Sequence, residues 1–408
     1  MKKETKIITK NWGKINPLKI KEYIEAGGYK VLRKFIRSDD FCSALLEIKK
    51  SKLCGRGGAG FLTGDKLDQV KKQLGDKYFI CNLDESEPGT YKDRLICDNN
   101  PHLLIEGMII CSLMIGAEKA YIYINGNYEK QREILELALD QVKEKGFLGE
   151  HIMKSDYGLE IEVFSGAGAY VCGEETALIN SMEGNRGEPK IRPPYPTQSG
   201  LWEKPTAVNN AETIANIPWI ISNGGEKYAR IGASCSPGTK LYILGGAVKN
   251  PGLIETPTGT TIGELIYGVG GGLPRGKEFW FAQIGGASGR LVMEDELDTP
   301  LQFSKDCQIP CGSGAILVVD KSVNIYDLIL SWTGFFARES CGKCVPCREG
   351  TFRLHEIAGR LKDGEISERD KEALKDILWT LNNTTFCPLG KFASVAISDA
   401  VKKLGILK

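Results

Sequence analysis

Four cysteines carry the strongest chemical signal. Cys341, Cys344 and Cys347 form a C-x-x-C-x-x-C run, Ser340-Cys341-Gly342-Lys343-Cys344-Val345-Pro346-Cys347-Arg348. A fourth, Cys387, is followed by Pro388. Three closely spaced thiolates wrap three irons of a cubane, and a distant one closes the last corner. A structural zinc site more often pairs two C-x-x-C knuckles, and here the ligands divide three and one. An iron–sulfur cluster therefore fits best, with zinc and free thiols as the alternatives. Lys343 and Arg348 would partly offset its negative charge.

The chain has 13 cysteines, an odd number, and no apolar stretch follows its basic, polar start at Met1 to Lys10. A disulfide framework is not expected. Cys307 and Cys311 read as two buried thiols, and Cys172 as a small buried hydrophobe.

A second group of candidates lies in loops. Cys54-Gly55-Arg56-Gly57-Gly58-Ala59-Gly60-Phe61 is dense in glycine, so backbone N–H groups can approach a phosphate or a flat ring. Arg56 and Lys66 can add positive charge. A flexible turn is the plainer reading. Phe164 to Glu175 resembles but does not match a G-x-G-x-x-G fingerprint, and Glu174 and Glu175 suit ribose hydroxyls or a ring N–H better than phosphate. Cys81 to Thr90 follows an expected strand, where α/β folds place ligands. Its acids also fit a solvated loop. Val208 to Thr213 reads as a polar helix start.

These residues need elements to hold them. Strands are expected at Tyr78–Cys81, Tyr121–Ile124 and Leu159–Val163, alternating with helices at His102–Gly116 and Glu129–Lys145. That alternation predicts a mainly parallel sheet over residues 63–235. Residues 1–62 read as a helical lead-in ending in the glycine-rich loop. Residues 236–325 read as a sheet-rich module with strands at Lys240–Leu244 and Ala315–Val319. Residues 326–408 read as a helical bundle, from apolar stripes such as Leu354, Ile357, Ala358 and Leu361, with Ser367 as a helix cap. Leu103 to Ala117, interrupted by Glu106, is too short to span a membrane and reads as a buried helix. The formal net charge of +1 gives no reason to expect nucleic acid or an anionic membrane.

Taken in order, the segments resemble the NADH-binding flavoprotein subunit of respiratory complex I and the diaphorase subunits of NAD-linked hydrogenases and formate dehydrogenases. The resemblance rests on G-R-G-G-A-G-F at Gly55–Phe61, D-E-S-E-P-G-T-Y-K-D-R at Asp84–Arg94 and G-A-Y-V-C-G-E-E-T-A-L at Gly168–Leu178. V-N-N-A-E-T at Val208–Thr213 and S-C-G-K-C-V-P-C-R-E-G at Ser340–Gly350 complete it.

That resemblance implies a multidomain α/β fold: a Rossmann-like FMN domain, a β-grasp soluble-ligand-binding module and a helical bundle with a [4Fe–4S] cluster. It places FMN against Gly55, Arg56, Gly57 and Lys66, with Asn82, Asp84, Glu85 and Ser86 along one edge and Gly173, Glu174, Asn209, Asn210 and Thr213 closing the pocket. Nicotinamide would lie near Phe61, Glu87 and Tyr170, and Glu175 would take the adenosine ribose, disfavouring a 2′-phosphate. Arg192 and Tyr195 fall beside the adenine half. Gln69 and Leu67 stand where relatives often have aromatics. The implied activity is hydride transfer between NAD(H) and FMN, then single-electron transfer to the cluster at Cys341, Cys344, Cys347 and Cys387. No side chain is needed as a general base. The implied partners are a small thioredoxin-like [2Fe–2S] subunit and a larger iron–sulfur or catalytic subunit, in the cytoplasm, with no nucleic acid and no membrane insertion. The rivals are an electron-bifurcating flavoprotein subunit and a scaffold with a cluster but no flavin. Retention of Lys66, Glu85 and Glu175 argues against the scaffold.

Overall fold

The computed structural model describes residues 5–303, 307 and 309–407. Strands β1 (Tyr78–Leu83), β2 (Lys119–Ile124), β3 (Glu160–Ser165) and β4 (Thr206–Asn210) form a sheet of order β3-β2-β1-β4, and every pairing is parallel. Phe79, Cys81 and Leu83 enter one hydrophobic core while Ile80 enters another. The two-residue period of a strand sends alternate side chains to opposite faces, and both faces are covered, as a parallel sheet requires.

Helix Pro101–Ile115 fills the first face. Asn100 caps it, Pro101 opens it and Gly116 ends it in the left-handed region. It is apolar all round and correspondingly buried. Its Glu106 is met by the Tyr23 hydroxyl at 2.6 Å. The N-terminal helices Ile20–Glu25, Lys30–Ser38 and Phe41–Ser51 place Tyr23, Leu32, Phe35, Leu45 and Ile48 in this same core.

A second sheet has the order β6-β5-β9-β7-β8, built from β5 (Thr239–Gly246), β6 (Gly252–Pro257), β7 (Phe279–Ile284), β8 (Arg290–Val292) and β9 (Ala315–Asp320). Only β5 and β9 pair in parallel. Helices Ile325–Glu339, Val345–Asp363, Glu368–Thr384 and Pro388–Asp399 then close the chain. Ser367 forms a capping box with Asp370. Arg290 joins the second sheet to the last of these helices through two bonds to Asp399, at 2.7 and 2.9 Å.

Two expectations need correction. Val208–Thr213 is not a helix start as a whole: Val208, Asn209 and Asn210 pair with Ile80, Cys81 and Asn82, so the strand runs to Asn210. Asn210 then caps helix Ala211–Ala215 by accepting from the Glu212 N–H. Cys311 is buried as expected, but Cys307 is only half-buried.

No described helix is long and apolar enough to cross a membrane.

Candidate functional site

The strand order reverses at β1, because β2 lies on one side and β4 on the other. Ligands in open α/β sheets bind beyond the strand ends at such a point. The carboxyl ends of β1 and β4 deliver Asn82, Asp84, Asn209 and Asn210 there side by side. The Asn82 amide donates to the Gly173 carbonyl at 2.9 Å, which brings the Tyr170–Glu175 loop to the same place. The glycine-rich loop arrives from a third direction: the Arg56 N–H donates to Thr213 Oγ1 at 2.8 Å. At Gly57 a Cβ would come within 3.2 Å of Asn210 Cβ, and Gly60 has φ +67°. Gly60 needs glycine for its backbone, and a side chain at Gly57 would press on Asn210.

Burial makes the polar groups here informative. Asp84 Oδ2 and Asn209 Oδ1 are buried acceptors with no hydrogen-bond partner among the described residues. Unsatisfied buried acceptors cost about 1–3 kcal/mol each. A ligand with several N–H and O–H donors, such as FMN, would satisfy them. Burial pushes the Asp84 carboxyl up to about 7, against the Ser86 hydroxyl bond, which favours ionisation. Glu85 is pushed up to about 7, by burial and the neighbouring Asp93 charge, although it accepts from the Asp93 and Arg94 N–H groups. Ser86 donates to Asp84 Oδ1 at 3.2 Å and accepts from the Asn125 amide.

Glu87 and Tyr170, expected together at the nicotinamide, are in direct contact: the tyrosine hydroxyl donates to Glu87 Oε2 at 2.7 Å. Burial raises the pKa of both groups. Ser288, from the loop after β7, donates to Glu87 through its N–H at 3.0 Å and its hydroxyl at 3.1 Å. Nothing in the local sequence around Ser288 signals that contact; only the packing of the two sheets creates it.

Lys66 and Glu175, expected on different parts of the ligand, are paired at 3.0 Å. Arg192 also reaches Glu175 at 3.2 Å and Glu174 at 3.5 Å. The Lys66 ammonium lies 5.9 Å from the centroid of the exposed Phe61 ring. Tyr195 is exposed, and Gln69 accepts a hydrogen bond from Thr197. Arg56 departs from the expectation that it offers charge to a ligand. Its guanidinium is fully buried, donating to the Pro237 carbonyl and the Tyr228 hydroxyl. What remains at the loop is its backbone.

The cysteines gather at helix starts. Cys344 is the residue before helix Val345–Asp363, Cys347 sits in its first turn, and Cys387 precedes helix Pro388–Asp399. The positive end of a helix dipole favours a thiolate. Cys341 lies in the loop before them. Burial pushes the Cys347 thiol up to about 11, with Cys344, Cys387 and Cys341 adding to the rise, so the four thiols share one neighbourhood. Among the described residues no group of three or more His, Cys, Asp or Glu is arranged for a single metal ion. Lys343 pairs with Glu188 at 3.1 Å and Arg348 with Glu349 at 3.1 Å, so each cation beside the cysteines has a partner of its own.

The two groups of residues adjoin. The Tyr170 N–H donates to Glu339 at 2.9 Å, Arg186 bonds the Cys341 carbonyl, and Lys343 donates to the Pro189 carbonyl at 2.7 Å.

Comparison with known proteins gives this arrangement its class. Residues 48–219 match the Nuo51 FMN-binding domain, 240–292 the SLBB domain, and 327–405 the iron–sulfur binding region of NADH-ubiquinone oxidoreductase-F. The chain is 45% identical to the F subunit of NADH-quinone oxidoreductase of Aquifex aeolicus, over 94% of this chain and 89% of the relative. It is 42% identical to the HndC subunit of the NADP-reducing hydrogenase of Solidesulfovibrio fructosivorans, over 96% of this chain and 80% of that one. The corresponding NADH-quinone oxidoreductase chain of Escherichia coli is 41% identical, over 95% and 88%. An NAD⁺-reducing [NiFe]-hydrogenase superposes with a TM-score of 0.85 at 31% identity; the match covers 98% of this chain but only 66% of the hydrogenase chain. The chain belongs to the family of the NADH-quinone oxidoreductase F subunit, with its FMN-binding domain and [4Fe–4S] region.

Proposed function

We propose that this chain is the diaphorase subunit of a larger redox assembly, of the hydrogenase, formate dehydrogenase or complex I-like kind. It exchanges a hydride between NAD(H) and FMN and sends electrons singly through a [4Fe–4S] cluster to partner subunits. One observation carries the reading: the Tyr170–Glu175 loop serves both sites. Its Gly173 carbonyl takes the Asn82 amide, while its Tyr170 N–H donates to Glu339, at the end of the helix that leads into Cys341.

Bound FMN supplies the conversion of a two-electron donor into single electrons. The chain's own residues hold and shape the reactants. Gly55, the Arg56 backbone, Gly57 and Lys66 cradle the flavin on one side. Asn82, Asp84, Glu85 and Ser86 line its edge, and Gly173, Glu174, Asn209, Asn210 and Thr213 close the pocket. Asp84 and Asn209 gain there the donors they lack. Phe61, Glu87 and Tyr170 seat the nicotinamide, Glu175 meets the adenosine ribose, and Arg192 and Tyr195 border the adenine. Cys341, Cys344, Cys347 and Cys387 hold the cluster.

This assignment divides the chain into a lead-in (1–62), a Rossmann-like FMN domain (63–235), a β-grasp module (236–325) and a bundle (326–408). The partners are a thioredoxin-like [2Fe–2S] subunit and a larger iron–sulfur or catalytic subunit, and the assembly works in the cytoplasm.

Anaerobic purification, a visible spectrum and an iron count test the reading. A flavin band that bleaches on adding NADH, with about four irons per chain, is expected. A full cluster without flavin, or without bleaching, would leave only a scaffold. Turnover with NADH is expected to exceed that with NADPH, because the Glu175 carboxylate repels a 2′-phosphate.

A further inference from the structure

The second sheet contributes a fully buried cation to Glu212, two residues beyond the end of β4 at Asn210. Lys240, at the start of β5, is 0% exposed, and its ammonium donates to Glu212 Oε2 at 2.7 Å. Its other contacts are the carbonyls of Leu241 at 2.9 Å and Ser313 at 3.1 Å. Glu212, also 0% exposed, accepts from the Leu241 N–H and pairs with Lys92 at 3.1 Å. Lys92 pairs in turn with Asp93 at 2.7 Å. Asp93 accepts from the Asn210 amide at 2.7 Å, and its own N–H donates to Glu85. A continuous chain of buried charges thus runs from the second sheet to Asn210 and Glu85, two residues proposed above to contact FMN.

An arrangement of this kind is expensive. Burying an ion costs several kcal/mol, and stability alone would be served as well by apolar packing. Burial takes Lys240 down to about 8 even with Glu212 in contact. Lys92, facing Asp93, Glu212 and Glu85, stays raised above the ordinary lysine value in spite of its burial. In a dry interior such charges act over longer distances than in water.

We infer that Lys240 is a positioning residue of the flavin site, whose positive charge, carried in by the second sheet, raises the reduction potential of the bound flavin. The inference rests on the functional reading above. Reduction adds negative charge to the flavin, so a nearby buried cation favours the reduced form. Lys92 keeps Glu212 ionised when Lys240 is neutralised, leaving the network one charge more negative.

The test is a spectroscopic redox titration of the flavin at pH 7 in the purified, cluster-containing protein. Lys240→Met and Lys240→Gln should both shift the flavin midpoint to more negative potential, and Lys240→Arg should return it toward wild type. Gln can still hydrogen-bond Glu212, so a structural role would be rescued by it and a charge role would not. If Lys240→Met fails to fold, Lys240→Gln against Lys240→Arg decides. Unchanged potentials in the neutral variants, or an Arg variant shifted as far as the Gln one, would overturn the inference while wild type still binds flavin and bleaches with NADH. A wild type without flavin would overturn the functional reading and this inference with it.

Discussion

The two proposed cofactor sites are built in opposite ways. Three of the four cluster cysteines lie within one seven-residue run, and the fourth opens a neighbouring helix. The flavin site draws on the glycine-rich loop, the ends of β1 and β4 and the Tyr170–Glu175 loop. A metal cluster organises its own ligands through strong bonds to thiolates, so a short flexible run suffices. A flavin is held by many weak contacts, each requiring a polar group already aimed, and only a rigid sheet end supplies that. The contrast teaches that the first site should fail all at once and the second by degrees.

Cys347→Ala gives the largest expected effect. Cluster absorbance should vanish and the iron content fall close to zero, while flavin remains bound. Loss of flavin together with the cluster would mean that the sites are not separately built. An intact cluster would sink the ligand assignment.

Lys66→Ala should act on the other site alone. Losing one charge-assisted contact, worth about 1.5–3 kcal/mol, predicts roughly 10–150-fold weaker FMN binding, read from fluorescence of released flavin. The cluster spectrum should not change. Flavin affinity unchanged by this substitution would remove Lys66 from the pocket.

The smallest effect is one of pH. Asp84 has a folded pKa of about 7, raised by burial from an ordinary 3.8. The folded state therefore binds a proton that the unfolded state releases, and this contribution to stability declines as pH rises from about 4 to about 7. In flavin-free protein, Asp84→Asn should remove that decline. Its stability relative to wild type should grow between pH 5 and 7.5, by about 2.5 kcal/mol. Denaturant titrations at the two pH values measure it. A constant difference would show that Asp84 stays ionised throughout. Glu85 titrates in the same range, so part of the slope should persist.

Much of the fold was legible beforehand. Tyr78–Cys81 and Tyr121–Ile124 announce strands; β1 runs on past its window because Asn82 and Leu83 pair with Tyr123 and Ile124, and β2 starts earlier because Lys119 and Ala120 pair with Tyr78 and Phe79. Ser367 announces its cap three residues ahead of Asp370. Val208–Asn210 misleads, since a polar pair before Ala211 looks like a helix start until β1 is seen beside it.

By itself the sequence singled out the four cysteines proposed as cluster ligands and the glycine-rich loop. The first depend on spacing along a few residues, and the second on an absence of side chains; both are local properties. It also marked the acidic runs at Asp84–Glu87 and Glu174–Glu175 as candidates. Only the tertiary structure decided which of those charges are buried, that Arg56 turns its guanidinium into the core, that Lys66 and Glu175 face one another, that Lys240 meets Glu212 and that Ser288 reaches Glu87. The physical reason is separation along the chain. Lys240 meets Glu212, and Ser288 meets Glu87, only after two sheets have packed together, and residue type at one position carries no record of what the other sheet will bring.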